Sequence, residues 1–320
     1  MEKIGQSEST QDAQMLAFVF LLPTCMLVVG YFLFPYPPSP LTQQLGYVPL
    51  FLGLLLVGIG FFWKKQHPGS ILKIFGWVIF SFYWATTPSY LYLSEEGDVF
   101  NTAICVIGVY VLVYLGYHEW LSIRRNEYPS SLNWIAGSSF IAGMIYFTID
   151  SGIVPGLRTW LIEVVAHQST MLLNLFGVPA YRQGSLITYN GSPVTIIFAC
   201  TAIQSLVLFV GMNGALKKIN IRRRTIAILV TALPVYFLNL IRNASVIFLV
   251  GGNITSFEIA HNVIFKILAL IALVILLFIN FKLVPELYDE IVGIIDLPKR
   301  RGPVELVIGR LVGKKHNAHR

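Results

Sequence analysis

Apolar residues gather into eight runs of near membrane-spanning length, separated by short polar or proline-rich breaks. The runs cover roughly 14–34, 47–63, 70–90, 99–120, 133–149, 199–216, 225–250 and 261–282. About 20 apolar residues are needed to cross the hydrocarbon layer as a helix, so each run predicts a span, the second being the shortest. Pro35-Tyr36-Pro37-Pro38-Ser39-Pro40 cannot be helical throughout and predicts a loop between the first two. Tyr31, Tyr47, Trp63, Tyr92, Trp120 and Trp134 sit near span ends, as aromatic residues do at a membrane interface.

The segment 150–198 breaks this rhythm. Residues 159–177 are apolar but carry Glu163, His167, Gln168 and Asn174, which predicts an interfacial or re-entrant helix on the outer side. From Gly184 to Ile197, β-branched residues flank Asn190-Gly191, the favoured two-residue turn, and predict a β-hairpin. The fold class expected is therefore all-α: a polytopic membrane protein of about eight transmembrane helices, with an external β-hairpin and an interfacial helix. Four regions follow: N-terminal spans over 1–150, an external segment over 151–198, three further spans over 199–284, and a basic tail over 285–320. The tail, with Val304-Glu305-Leu306-Val307-Ile308 near its middle, reads as amphipathic and lying on the inner membrane face.

Composition narrows the class. Of 320 residues, 55% are hydrophobic and only 12% charged, about half the charge of a soluble globular domain. The net charge of +7 points to basic inward loops against an anionic leaflet rather than to nucleic acid. Nineteen of the 23 Lys and Arg fall on one side of the predicted spans, among them Lys64, Lys65, Lys73, Arg124, Arg125, Lys217, Lys218 and Arg222 to Arg224. The positive-inside rule then places both termini in the cytoplasm and the loops 35–46, 91–98, 150–198 and 251–260 outside. The first span has one lysine before it and no small-residue cleavage site after it, so it reads as a retained helix. Cys25, Cys105 and Cys200 are far apart, which argues against a disulfide framework or a zinc site. No cofactor or metal is implied, since no phosphate-cradling glycine loop or ligand spacing occurs.

Ionisable and reactive groups inside membrane segments are functional candidates by default. Cys200 opens the sixth run, Arg242 lies within the seventh, and His261 opens the eighth. In the expected topology all three lie in the outer half of the membrane, with Arg242 roughly 13 Å along its helix from Gly251. A thiol near a helix N-terminus and a guanidinium is a nucleophile in the making. Arg242 suits an oxyanion or substrate stabiliser, and His261 a general acid and base. Gln204, four residues after Cys200, would orient substrate, while Asn239 and Asn243 would hold the Arg242 guanidinium. Other readings stand beside these. Arg242 could pair structurally with Glu258 or Asp150, Lys266 could be the true partner of Cys200, and His118 and His167 read as interfacial fillers. A transporter is the alternative of another class, disfavoured because no internal repeat relates the two halves.

Ala199-Cys200-Thr201-Ala202-Ile203-Gln204-Ser205, then Asn239-x-x-Arg242-Asn243, then Ala260-His261-Asn262, resembles the exosortase/archaeosortase family, and its archaeosortase branch most. The motifs cover roughly 180–270, and span number and hydropathy extend the likeness to the whole chain. Ala202 stands where the family pattern has Gly. The resemblance implies a membrane cysteine transpeptidase with Cys200 as nucleophile. Its partner would be the C-terminal sorting signal of a secreted or surface protein, a Pro-Gly-Phe type motif followed by a transmembrane helix and a basic tail. It also implies transfer of the new C-terminus to a membrane phospholipid; an intramembrane cysteine protease that releases product to water would share the same acyl-enzyme.

Overall fold

A computed structural model describes residues 2–94 and 98–311, the side chains of residues 2–13, 262, 310 and 311 excepted. Glu95, Glu96 and Gly97 of the loop predicted over 91–98, and the tail beyond Leu311, lie outside the described residues. The protein is a multi-pass, mostly helical membrane protein with one small sheet. Among the described residues seven helices are long and apolar enough to cross a membrane. The run predicted over 199–216 differs. It forms a helix of 12 residues, Ile203–Gly214, which rises about 18 Å against a hydrocarbon layer of about 30 Å.

The chain divides into two compact units, residues 1–140 with 290–320, and residues 141–289. In the first, α1 (Glu2–Leu33), α2 (Pro40–Phe62), α3 (Gln66–Thr86), the short α4 (Pro88–Leu93) and α5 (Val99–Arg125) form the bundle. Ser39 starts α2 by accepting the Thr42 amide at 3.1 Å, with Pro40 at the first helical position where its missing N–H costs nothing. The chain leaves α5 through Asn126 in the left-handed region (φ 53°), with Arg124 and Arg125 in the last turn. α2 and α3 lie close because Gly53 carries no side chain: a Cβ there would come within 2.5 Å of the Phe80 amide nitrogen.

Three sequence expectations change in this unit. Lys73 is no loop charge; it is buried in α3 and pairs with the equally buried Glu119 of α5 at 2.8 Å. His118 is no interfacial filler; it is fully buried, 3.3 Å from Glu305. The tail does not merely lie on a surface, because α12 (Pro303–Leu311) inserts Val304 among Val19, Tyr117 and Leu121. Glu305 there accepts from the hydroxyls of Tyr114 at 2.6 Å and Tyr117 at 3.0 Å. Those two tyrosines sit on one face of α5 and give a buried carboxylate the donors it requires.

The second unit holds the end of α6 (Ser130–Asp150), α7 (Leu157–Leu175), a three-stranded antiparallel sheet, α8 (Ile203–Gly214), α9 (Ile221–Gly251), α10 (Phe265–Leu283) and the start of α11 (Pro285–Ile295). The predicted hairpin is present as β2 (Leu186–Tyr189) and β3 (Ser192–Thr195), with Tyr189 opposite Ser192 across Asn190-Gly191. Both turn residues have positive φ, 48° and 77°, as the two-residue hairpin turn demands. A further strand, β1 (Tyr181–Gln183), pairs with β2. Its alternation was too short to read from three residues. The hairpin seats on the end of α9, where Tyr189 stacks on Phe248 at 6.2 Å. Gly251 allows this, since a Cβ would sit 2.7 Å from the Tyr189 carbonyl oxygen.

Candidate active site

After β3 the chain turns once as a 3-10 helix, Phe198–Thr201, and Cys200 lies in that turn, 8% exposed. Ala202 then adopts the left-handed conformation (φ 63°), and α8 begins at Ile203. Cys200 is therefore not in the first turn of α8, and the four-residue spacing to Gln204 does not put the two on one helical face. Gln204 instead donates from Nε2 to the hydroxyl of Tyr146 on α6 at 3.0 Å. The Tyr146 ring lies 5.5 Å from that of Phe198, one end of the cysteine turn.

The break at Ala202 leaves the Cys200 carbonyl without a helical partner. The first turn of α8 closes on the Ala202 carbonyl, which accepts from the Leu206 amide at 3.0 Å. The Cys200 carbonyl accepts instead from two side chains of α9, Asn239 Nδ2 at 2.7 Å and Asn243 Nδ2 at 3.0 Å. This corrects the expectation that these amides hold the guanidinium. One helical turn apart, they share a face of α9, and that face meets the cysteine turn. Around it Cys200 packs in a core with Val165 and Ala166 of α7 and Leu240, Ala244 and Ile247 of α9.

Arg242 projects from the same stretch of α9 toward the start of the last span. Its Nη2 lies 2.8 Å from Nε2 of His261, so its partner is neither Glu258 nor Asp150. Asp150 lies 3.3 Å from Arg158. Arg242 and Cys200 lie within electrostatic reach of each other, as do His261 and Lys266. The Nε of Arg242 is buried with no hydrogen-bond partner among the described residues. His261 sits in a π-helical stretch, Ile259–Ile264, that precedes α10, and its ring stacks on Phe257 with centroids 5.1 Å apart. π-helical turns are rare and often carry functional side chains.

Thus Cys200, Arg242, His261, Asn239 and Asn243 come together, and Gln204 stands one partner removed. Cys25 and Cys105 lie in the other unit. Sequence reasoning passed over two residues. Tyr146 ends Gln204's reach, and Tyr236 of α9 donates to Gln168 of α7. Each is a hydroxyl in an apolar helix, a signal no different from any interfacial tyrosine until its partner is seen.

Chemically, the arrangement offers a thiol on a pinned turn, a guanidinium whose Nε donor is unused among the described residues, and an imidazole bonded to it. That set fits attack on a carbonyl followed by proton transfer to a leaving group. Comparison with known proteins gives two findings. The sequence model of the transmembrane exosortases matches residues 59–278. An archaeosortase A of Haloferax volcanii is 25% identical over 293 aligned residues, covering 79% of this chain and 93% of that relative. No solved structure matches.

Proposed function

The chain belongs to the transmembrane exosortase family, and from that premise we propose that it is a membrane cysteine transpeptidase acting on C-terminal sorting signals. Its substrates are secreted or surface proteins that end in a short motif of the Pro-Gly-Phe type, a transmembrane helix and a basic tail. The observation that carries this reading is the joining of three chain segments at one point. The Cys200 turn is fastened to α9 by Asn239 and Asn243, and α9 is fastened to the start of the last span through Arg242 and His261.

In the proposed reaction the Cys200 thiol gives its proton to His261, and the sulfur attacks the carbonyl carbon of the scissile peptide bond. Arg242 donates to the oxygen on which negative charge develops. The C–N bond breaks, the departing amine takes the proton from His261, and the new C-terminus remains as a thioester on Cys200. A nucleophile at headgroup level, an amine or hydroxyl of a membrane phospholipid, then displaces the sulfur, which recovers a proton. The Lys and Arg distribution supports a site near the external face and both termini in the cytoplasm. The tail meets the end of α5, where Arg125 donates to the Arg300 carbonyl, so α8, too short to span alone, crosses together with the Cys200 turn.

Mass spectrometry of the processed substrate's C-terminus tests the transfer. Phospholipid attached to the terminal carboxyl supports it, whereas a free carboxyl identifies a protease that releases its product to water.

A further inference from the structure

We infer that Asn239 and Asn243 are positioning residues for the nucleophile: together they replace the helical hydrogen bond that the Cys200 carbonyl loses at Ala202, and so hold the thiol in register with Arg242. The inference rests on the transpeptidase reading for its kinetic readout, and on geometry alone for its substance.

Ala202, at φ 63°, turns the chain out of the helical path immediately after Cys200. Without that turn the Cys200 carbonyl would accept the amide four residues on, as any helical carbonyl does. With it, the first helical bond of α8 reaches only back to Ala202. A carbonyl of a residue 8% exposed left without a donor is costly. Two amides from one face of α9 fill that gap at 2.7 and 3.0 Å. Asn243 is itself 4% exposed, so it has little water to bond in place of the carbonyl. Because Arg242 lies between the two amides in sequence, the bonds that fix the peptide plane after Cys200 also fix the helix segment from which the guanidinium departs. The break at Ala202 frees the cysteine turn from α8, and the two amides attach it to the helix that carries the electrophilic partner.

A shared acceptor has a distinctive signature. Either amide alone keeps the carbonyl satisfied, so single losses are moderate and the double loss exceeds their product. The substrate for the test is a soluble reporter fused to a sorting signal of motif, transmembrane helix and basic tail. Reporter and enzyme are both reconstituted in vesicles, and kcat and KM are measured for the full chain. Asn239→Ala and Asn243→Ala are expected to lower kcat about tenfold each with KM within twofold. The double variant is expected to fall well over a hundredfold while still accumulating in the membrane. Asn239→Asp sets an acceptor against the carbonyl at nearly the same volume and should lose more than Asn239→Ala. A second readout needs no turnover. In a Cys25→Ala, Cys105→Ala background, iodoacetamide should alkylate Cys200 several-fold faster in either asparagine variant, because the buried turn loosens.

Singles whose effects multiply to give the double, Asn239→Asp at the wild-type kcat, or alkylation unchanged by either substitution would each overturn the inference. Should the double variant fail to accumulate, Asn239→Asp and the alkylation rates decide. Failure of the transpeptidase reading looks different: the unmodified enzyme would leave the reporter intact, and the alkylation result would stand unaffected.

Discussion

Arg242 Nη2 stands 2.8 Å from Nε2 of His261, and because a guanidinium has only donors, that bond decides the histidine's tautomer. Nε2 must accept, so the ring is neutral and its proton is on Nδ1. The ring's one unprotonated nitrogen, the only one that can act as a base, is thereby occupied. On the proposed mechanism the scissile carbonyl takes over the Arg242 donor, and Nε2 becomes free to receive the thiol proton.

Lysine at position 242 would keep the charge but lose the planar fork that aims a donor first at His261 and then at the developing oxyanion. Arg242→Lys is expected to reduce processing at least about a hundredfold, the scale of a lost oxyanion donor. Immunoblots of membrane fractions should show normal accumulation. Full processing by this variant would return Arg242 to a structural role.

Ala202 occupies a backbone region that costs a residue with a Cβ about 1–2 kcal/mol, and its φ of 63° explains why a glycine suits this position. Ala202→Gly is expected to stabilise the protein by up to about 1 kcal/mol after the entropy of the more flexible unfolded chain is subtracted. Ala202→Val should destabilise it. Thermal unfolding in detergent compares the three.

Topology has its own test. A single cysteine at position 221, the first residue of α9 within the basic stretch 217–224, should escape an impermeant thiol reagent in intact cells and react after permeabilisation. Labelling in intact cells would invert the orientation and move the site to the opposite face.

The tail offers a pH test. Burial pushes the Glu305 carboxyl upward, but the His118 imidazole and the Tyr114 hydroxyl more than offset it and hold it down at about 2. A carboxyl held below its ordinary value near 4.5 stabilises docking above that pH and loses this contribution as pH falls toward 2. An acid protease should therefore spare the α12 segment at pH 5 and cut it near pH 2 to 3. Glu305→Gln should be cut at both.

The parts of the fold that depend on local pattern were legible in the chain: the apolar runs, the Asn190-Gly191 hairpin and the candidate trio. What the sequence hid depends on partners distant along it. Asn239 and Asn243 bracket Arg242, and sequence proximity suggested that they serve it, whereas a left-handed Ala202 some 40 residues earlier had left a carbonyl for them to serve. Gln204 lay at helical spacing from Cys200, and only the same break at Ala202 sent it to Tyr146. Lys73 read as a basic loop residue, His118 as an interfacial filler and Glu305 as part of a surface tail, because nothing local announces a buried partner 46 or 187 residues away.

The central claim is that Cys200 forms the acyl-enzyme, and one comparison tests it most directly. Processing of a sorting-signal reporter is measured in cells that carry the unmodified chain, Cys200→Ala, or Cys25→Ala with Cys105→Ala. Cys200→Ala is predicted to leave the reporter uncut, and Cys200→Ser to leave only a trace, since a hydroxyl is a far weaker nucleophile than a thiolate at neutral pH. The Cys25, Cys105 double variant should process at close to the normal rate, because both thiols lie in the other unit, Cys25 exposed and Cys105 buried. Processing by Cys200→Ala at the unmodified rate would contradict the thiol mechanism.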